Sequence, residues 1–186
     1  NGTEKENFTT LMASSNTVAT NGNIRWFWGN AYVQIAKYNT FLDNIDKCKM
    51  DETKKKQWTS EVKCLRAYFF YNLAFYFKDV PMPLTTLNVD EANTIKQTSQ
   101  ADVYSQVESD LKTAIEVKYS GSDFGRITKG AALTMLGRVY LARNDYQDAA
   151  TAFKQVMDLG IYSIDNSNGA NSYEKLFQIG GENSSE

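Results

Sequence analysis

Apolar side chains recur at three- and four-residue steps from Ile24 onward, in stripes separated by polar stretches. That spacing is the period of an α-helix with one buried face. In the first stripe Trp28, Tyr32, Ile35, Asn39, Leu42 and Ile45 share a face, which predicts a helix over about 24–47. Either Asn21 or Asn23 is placed to cap its start. Asn39 breaks the stripe with an amide. A buried amide costs free energy unless it is bonded, so Asn39 is expected to bridge to the backbone of a neighbouring helix, with a ligand role as the minor alternative. The second stripe, about 56–78, differs in kind. Between Leu65 and Phe77 only Arg66 and Asn72 interrupt a run of apolar and aromatic residues. A helix that is apolar on every side is expected to be encased by protein, as the central core helix. Most of its rings should then be packed, although such density also suits a stacking platform. Lys54, Lys55 and Lys56 in front of it read as a solvated helix start.

Pro81 and Pro83 end this helix, because each lacks a backbone donor and restricts its predecessor. Residues 79–98 are expected to form an extended connection. Ser99 with Asp102 three positions on reads as a cap opening a helix over about 101–117. Val103, Val107, Leu111, Ala114 and Ile115 form its inner face, and Glu108, Asp110, Lys112 and Glu116 are expected outside. Turn residues 120–123 follow. Thr128 caps a fourth helix carrying Ala131, Ala132, Met135, Leu136, Val139 and Tyr140. Asn144 and Asp145 make a turn, and a fifth helix carries Tyr146, Ala149, Ala150, Phe153, Val156 and Met157 up to Gly160. The flanks, 1–23 and 161–186, are rich in Asn, Ser and Gly and read as irregular. Their apolar anchors are Phe8, Leu11 and Met12 on one side, and Ile161, Tyr162, Ile164, Tyr173, Leu176, Phe177 and Ile179 on the other.

The last two helices carry a stricter pattern. Leu136-Gly137-x-x-Tyr140 followed by Ala149-x-x-x-Phe153 has the residue types and the twelve-residue Gly-to-Ala offset of a tetratricopeptide unit, covering about 130–161. Gly137 and Ala149 are small where two antiparallel helices approach, and Tyr140 and Phe153 fill the space beside them. Residues 24–78 then form a first helix hairpin, and 101–160 hold the repeat-bearing helices. The helix at 101–117 either pairs with the fourth or stacks on the preceding hairpin. Repeat helices bury their faces only by stacking. The expected fold is therefore all-α, a tetratricopeptide-like solenoid of helical hairpins with irregular loop segments packed on it.

Composition narrows the chemistry. The 186 residues include 20 basic and 22 acidic side chains and no His. A formal charge of −2 gives no basic surface to displace counterions, which argues against a nucleic-acid partner. Without imidazole, Ser-His-Asp, Cys-His and His-metal sites are excluded within the chain. Cys48 and Cys64 lack metal-site spacing, and they read as ordinary helix cysteines or as a single bridge between packed helices. No phosphate-binding glycine loop is present. The pairs Asp43/Asp46 and Glu108/Asp110 fall on expected outer faces, where carboxylates are solvated, and Asp43-x-x-Asp46 lacks the ligand spacing of a calcium loop. No metal, no cofactor and no enzymatic role are assigned. Asn1, Asn7 and Asn183 open glycosylation tripeptides that chance explains in so Asn-rich a chain. No apolar run approaches the ~18 residues needed to span a bilayer, and no signal peptide is visible.

Leu65-Arg66-Ala67-Tyr68-Phe69-Phe70-Tyr71-Asn72-Leu73 followed by Lys78-Asp79-Val80-Pro81 resembles the aromatic helix and turn of the SusD/RagB family. Tyr32-x-x-Ile35-x-x-x-Asn39-x-Phe41-Leu42 resembles the family's preceding helix. Ala101-Asp102-Val103-Tyr104 with Glu108-x-Asp110-Leu111 resembles the next one, and Arg126-Ile127-Thr128-Lys129-Gly130-Ala131-Ala132 leads into the repeat in the family manner. The likeness covers about 24–160. Lys78 replaces the usual Gly of the turn, and the lipidated Cys and the loop-rich C-terminal half are missing. The resemblance implies that 1–186 is a single helical domain, the N-terminal, repeat-bearing part of a longer protein.

It also implies a function. The protein would be a surface-exposed lipoprotein subunit on the extracellular face of an outer membrane. It would capture oligosaccharides or polysaccharides for a TonB-dependent, SusC-like transporter barrel and perform no catalysis. The membrane would be reached only through a lipid anchor absent from this chain. A tetratricopeptide-type scaffold binding only protein segments, and a SusD-like binder of peptide cargo, are the alternatives. Glycan recognition needs aromatic faces against sugar rings, with amides and charges for the hydroxyls. Asn23, Arg25, Trp26, Trp28 and Asn30 concentrate those types at a loop-to-helix junction and are the expected site. Trp28 fits the buried stripe, and Trp26 should be the exposed member. Trp58 reads as a surface-packing anchor, and Tyr173 as a weaker candidate.

Overall fold

The computed structural model describes residues 21–116, 125–164, 172–175 and 177. The expectations for Phe8, Leu11 and Met12, for the turn at 120–123, for the glycosylation tripeptides and for Leu176 and Ile179 lie outside the described residues.

Among the described residues five long helices form where the stripes predict them, and two short ones form in stretches expected to be extended or irregular; polar side chains cap the first five starts in chain order. Helix α1 runs over Gly22–Asn44, with the Asn21 side chain accepting from the backbone of Asn23 and Ile24. Of the two expected caps, Asn21 is the one used. A single 3-10 turn, Ile45–Lys47, follows. Helix α2, Glu52–Phe77, starts earlier than the apolar pattern because Asp51 accepts from the backbone of Lys54. Strand β1 is Val80–Pro81. Helix α3, Val89–Thr94, is opened by a reciprocal cap between Asn88 and Glu91. Strand β2, Gln97–Thr98, pairs antiparallel with β1, Val80 opposite Thr98. Helix α4 is Gln100–Ala114 on Ser99, α5 is Lys129–Ala142 on Thr128, α6 is Tyr146–Asp158, and α7 is Ser172–Lys175. Residues 79–98 are thus not simply extended. A helical turn and a two-residue ladder satisfy the backbone groups that an extended chain would leave open.

The helices stack in one array. Ring and polar contacts pair Phe27 with Phe77 and Tyr38 with Phe69, so α1 and α2 are antiparallel. Lys63 meets Thr113, Arg66 meets Asp110 and Tyr71 meets Tyr104, so α2 and α4 are antiparallel as well, and this contact is the most extensive in the molecule. Glu61 binds Arg126 at 2.7 Å and Tyr71 lies under Arg138, which sets α2 and α5 side by side in one direction. Helix α4 therefore stacks on α2 and also packs on α5. Helices α5 and α6 close the repeat. A Cβ on Gly137 would fall 2.5 Å from the Phe153 ring, so only glycine admits the ring there. Asn144 and Gly160 take the left-handed conformation where the chain turns after α5 and α6. This is the expected all-α solenoid of helical hairpins.

The core comprises Ile35, Ala67, Phe70, Leu73, Ala74, Val103, Val107, Leu111, Ala132, Leu136 and Val139 with their neighbours. Helix α2 is central but not encased: Tyr68, Phe75 and Tyr76 are exposed. The rings exceed the space between α1 and α4, so one side of the helix faces water. Ala131, Ala150, Tyr146 and Met157 are exposed too, because nothing among the described residues covers the outer sides of α5 and α6.

Asp110 is the largest departure. Expected outside, it is 2 % exposed. Its carboxylate accepts from Arg66 Nε at 2.8 Å and Nη2 at 2.9 Å, and from Gln106 at 3.1 Å. Arg66 Nη1 donates to Asn39 Oδ1 and to the carbonyl of Leu84. Asn39 donates to the carbonyls of Pro83 and Thr85, so it bridges to the proline connection and to Arg66 rather than to a neighbouring helix's backbone. Burying this ion pair is tolerable because the fork is bidentate and the remaining donor is used. The cysteines are free, Cys48 exposed and Cys64 buried, with burial pushing the Cys64 thiol up to about 11.

Candidate functional site

Helix α1 turns by about 100° per residue, which divides the five expected site residues into two groups. Asn23, Trp26 and Asn30 follow one line along the helix, and Arg25 and Trp28 follow another. The structure therefore does not gather all five on one surface. Trp26 is 69 % exposed, as expected, with Asn23 and Asn30 half-buried about one turn away on either side. Asn30 accepts from Gln34 at 3.5 Å. Trp28 is half-buried rather than core. It stands edge-on to Phe77 with centroids 4.9 Å apart and packs against Tyr32 at 5.1 Å.

Trp28 divides two hollows. One is lined by Ile24, Arg25, Trp28 and Phe77. The other is a cleft of about 370 Å³ between α1 and the proline connection. Trp28, Tyr32 and Ala36 form its floor, and Pro81, Pro83, Leu87 and Ile95 are in its walls. Tyr32 donates to the carbonyl of Pro81 at 2.8 Å, and burial raises its phenol well above the usual range. The Thr86 amide donates to Asp43, whose carboxyl this bond holds below its ordinary value.

The exposed side of α2 forms a ring surface that the sequence offered only as the alternative of a stacking platform. Phe27 meets Tyr76 edge-on at 5.9 Å, Tyr76 meets Phe75 at 5.2 Å, and Phe75 stacks on Tyr71 at 5.8 Å. Arg138 of α5 lies 5.3 Å over the Tyr71 ring. The aromatic density was visible in the sequence; which rings stay outside depends on the distant partners of α2. Trp58 is 38 % exposed, in keeping with an anchor at the surface, and Tyr173 is exposed against Phe177. Of the carboxylates, Glu108 is drawn into a cluster with Lys112, Tyr140 and Arg143, and Asp110 into the buried fork. Neither is a solvated acid–base pair. Among the described residues no group of three His, Cys, Asp or Glu could hold a metal ion, and no helix is long and apolar enough to cross a membrane. What the arrangement offers is a set of ring faces with adjacent amides and one guanidinium, suited to stacking and hydrogen bonding.

Residues 2–141 match a family model described as SusD-like, starch-binding associating with outer membrane. A SusD-like protein of Formosa agariphila, P2, is 31% identical over 133 residues, 70% of this chain and 26% of its own length. A second from the same organism, P25, is 24% identical over 141 residues, 74% of this chain and 27% of its own. The chain thus spans about a quarter of the length of these curated relatives. Among solved structures, a SusD-like carbohydrate-binding protein of Bacteroides fragilis is 33% identical with a TM-score of 0.77, over 81% of this chain and 30% of that one. A laminarin-binding SusD-like protein is 27% identical with a TM-score of 0.81, over 91% of this chain and 41% of that one.

Proposed function

Because the chain belongs to the SusD-like family, we propose that it is the helical, repeat-bearing part of a surface glycan-binding protein. In this reading the protein captures oligosaccharides noncovalently at an outer membrane, on its extracellular face, and passes them to a TonB-dependent transporter barrel. The observation that carries it is Trp26, whose indole is 69 % exposed beside the amide side chains of Asn23 and Asn30. An exposed indole has an apolar cost with no folding gain, and a sugar ring is an apolar face edged with hydroxyls that neighbouring amides can bond. Arg25 and Trp28, on the other side of α1, form a second contact for a longer chain. No residue here is assigned to catalysis.

Affinity electrophoresis through gels containing laminarin or other soluble polysaccharides tests this. The wild type should be retarded by at least one glycan, and Trp26→Ala should lose about tenfold in affinity, the effect of removing one stacking ring. Trp58→Ala, on a different helix, should migrate as the wild type. Migration of the wild type unchanged in every gel would remove the reading. A protein-segment scaffold is the second reading, and the exposed Tyr68, Phe75 and Leu141 beside Arg138 favour it. It predicts binding that Phe75→Ala weakens and Trp26→Ala does not.

A further inference from the structure

The cleft between α1 and the proline connection has a property that a sugar site should not have: its side-chain hydroxyl and amide donors, Thr85 apart, are already committed. Tyr32 is committed to the Pro81 carbonyl, and both amide hydrogens of Asn39 to Pro83 and Thr85. The Asn39 oxygen accepts from Arg66, and Thr86 bonds Thr40 through its hydroxyl and Asp43 through its amide. Of the polar side chains in the wall only Thr85 has no bonded partner among the described residues. A sugar's oxygens would meet almost no free side-chain donor here. The same bonds hold the wall rigid, so the space is preformed. It has a volume of about 370 Å³ and is half-open to solvent.

We propose that this cleft binds a small uncharged apolar ligand of one or two rings, or an equivalent branched aliphatic group, between Trp28, Tyr32 and Ala36 on one side and Pro83, Leu87 and Ile95 on the other. The site is separate from the Trp26 surface and shares only Trp28 with the second contact of the glycan reading. The shape and the apolar walls set the selectivity.

Indole is a suitable probe, read by saturation-transfer NMR and by calorimetry on the whole chain. The wild type should bind it. Ala36→Leu and Ala92→Leu, which fill the cleft from opposite walls at exposed helical positions, should each weaken binding about tenfold while leaving the circular dichroism and melting unchanged. Trp26→Ala should bind indole as the wild type does. The proposal is overturned if the wild type does not bind indole, or if the filled variants bind it as tightly as the wild type does. Dimerisation of the wild type that Ala36→Leu abolishes would also overturn it, assigning the cleft to a second copy instead.

Discussion

The α5–α6 pair and the α2–α4 pair are both antiparallel helix contacts, but opposite means hold them. In α5–α6 the helices close on a missing side chain, Gly137, with the Phe153 ring laid over it and Ala149 buried beside them. The contact is local, and its partners lie within one repeat. In α2–α4 the centre of the contact is charged. The Arg66 fork grips Asp110 across 44 positions of sequence, and its third nitrogen reaches Asn39 and the Leu84 carbonyl. The first arrangement optimises area and distance. The second also places a loop, because the carbonyls of Pro83, Leu84 and Thr85 all point into the network. A buried ion pair adds little net stability compared with apolar packing, so its return here is geometric: it fixes where the proline connection lies on α1.

Removing one half of that pair should give the largest effect. Asp110→Ala leaves a guanidinium 5 % exposed without its carboxylate, and a loss of about 3–5 kcal/mol is expected in urea unfolding. Replacing both partners with apolar residues of similar volume, as in Arg66→Met with Asp110→Leu, should recover most of that loss while the connection loosens. Faster hydrogen exchange at the Thr86 amide would report the loosening. Stability and loop order both unchanged in the double variant would show that the network does not position the connection.

The repeat contact should break less severely. Gly137→Ala puts a methyl group 2.5 Å from the Phe153 ring, so the ring or the helix must move, at about 1–3 kcal/mol. Phe153→Leu in the same chain should relieve part of the cost, and a double-mutant cycle would show the coupling as non-additivity. Strict additivity would mean that the two side chains do not meet.

This difference also explains what the sequence could tell. Gly137, Ala149 and Phe153 sit at fixed local offsets, so their contact was readable from the chain, as were the caps at Ser99 and Thr128. Asp110 was not. Its spacing from Val107 and Ala114 fits the inner face, but its charge argued for the outside, and only a cation on α2, far away in sequence, makes its burial possible. Asn39 was rightly expected to be buried and bonded, but its partner was a loop whose path no periodicity encodes. The candidate site shows the same limit. Trp26 was expected to be exposed and is, yet Trp28 turned out to be a divider between two hollows, because Tyr32, Phe77 and the proline connection meet only in the fold. The exposed side of α2 was hidden for a related reason, since a run apolar all round does not say which rings remain outside.

The smallest expected effect lies at the seam between the two regions, where Glu108 of α4 accepts from Tyr140 at 3.0 Å and pairs with Lys112 and with Arg143 of the repeat. Partial burial works to raise its carboxyl, but the bonds from Lys112, Tyr140 and Arg143 prevail and hold it below the ordinary value. A carboxyl depressed on folding adds stability that is complete above its unfolded pKa and disappears as the pH falls through the folded one. Glu108→Gln keeps the shape and an acceptor but loses the charge, so a cost of about 1 kcal/mol is expected near neutral pH. The two proteins should converge in stability once the solution is acid enough to protonate the wild-type carboxyl. A difference that persists undiminished at that pH would mean that packing, rather than charge, joins the repeat to the rest of the array.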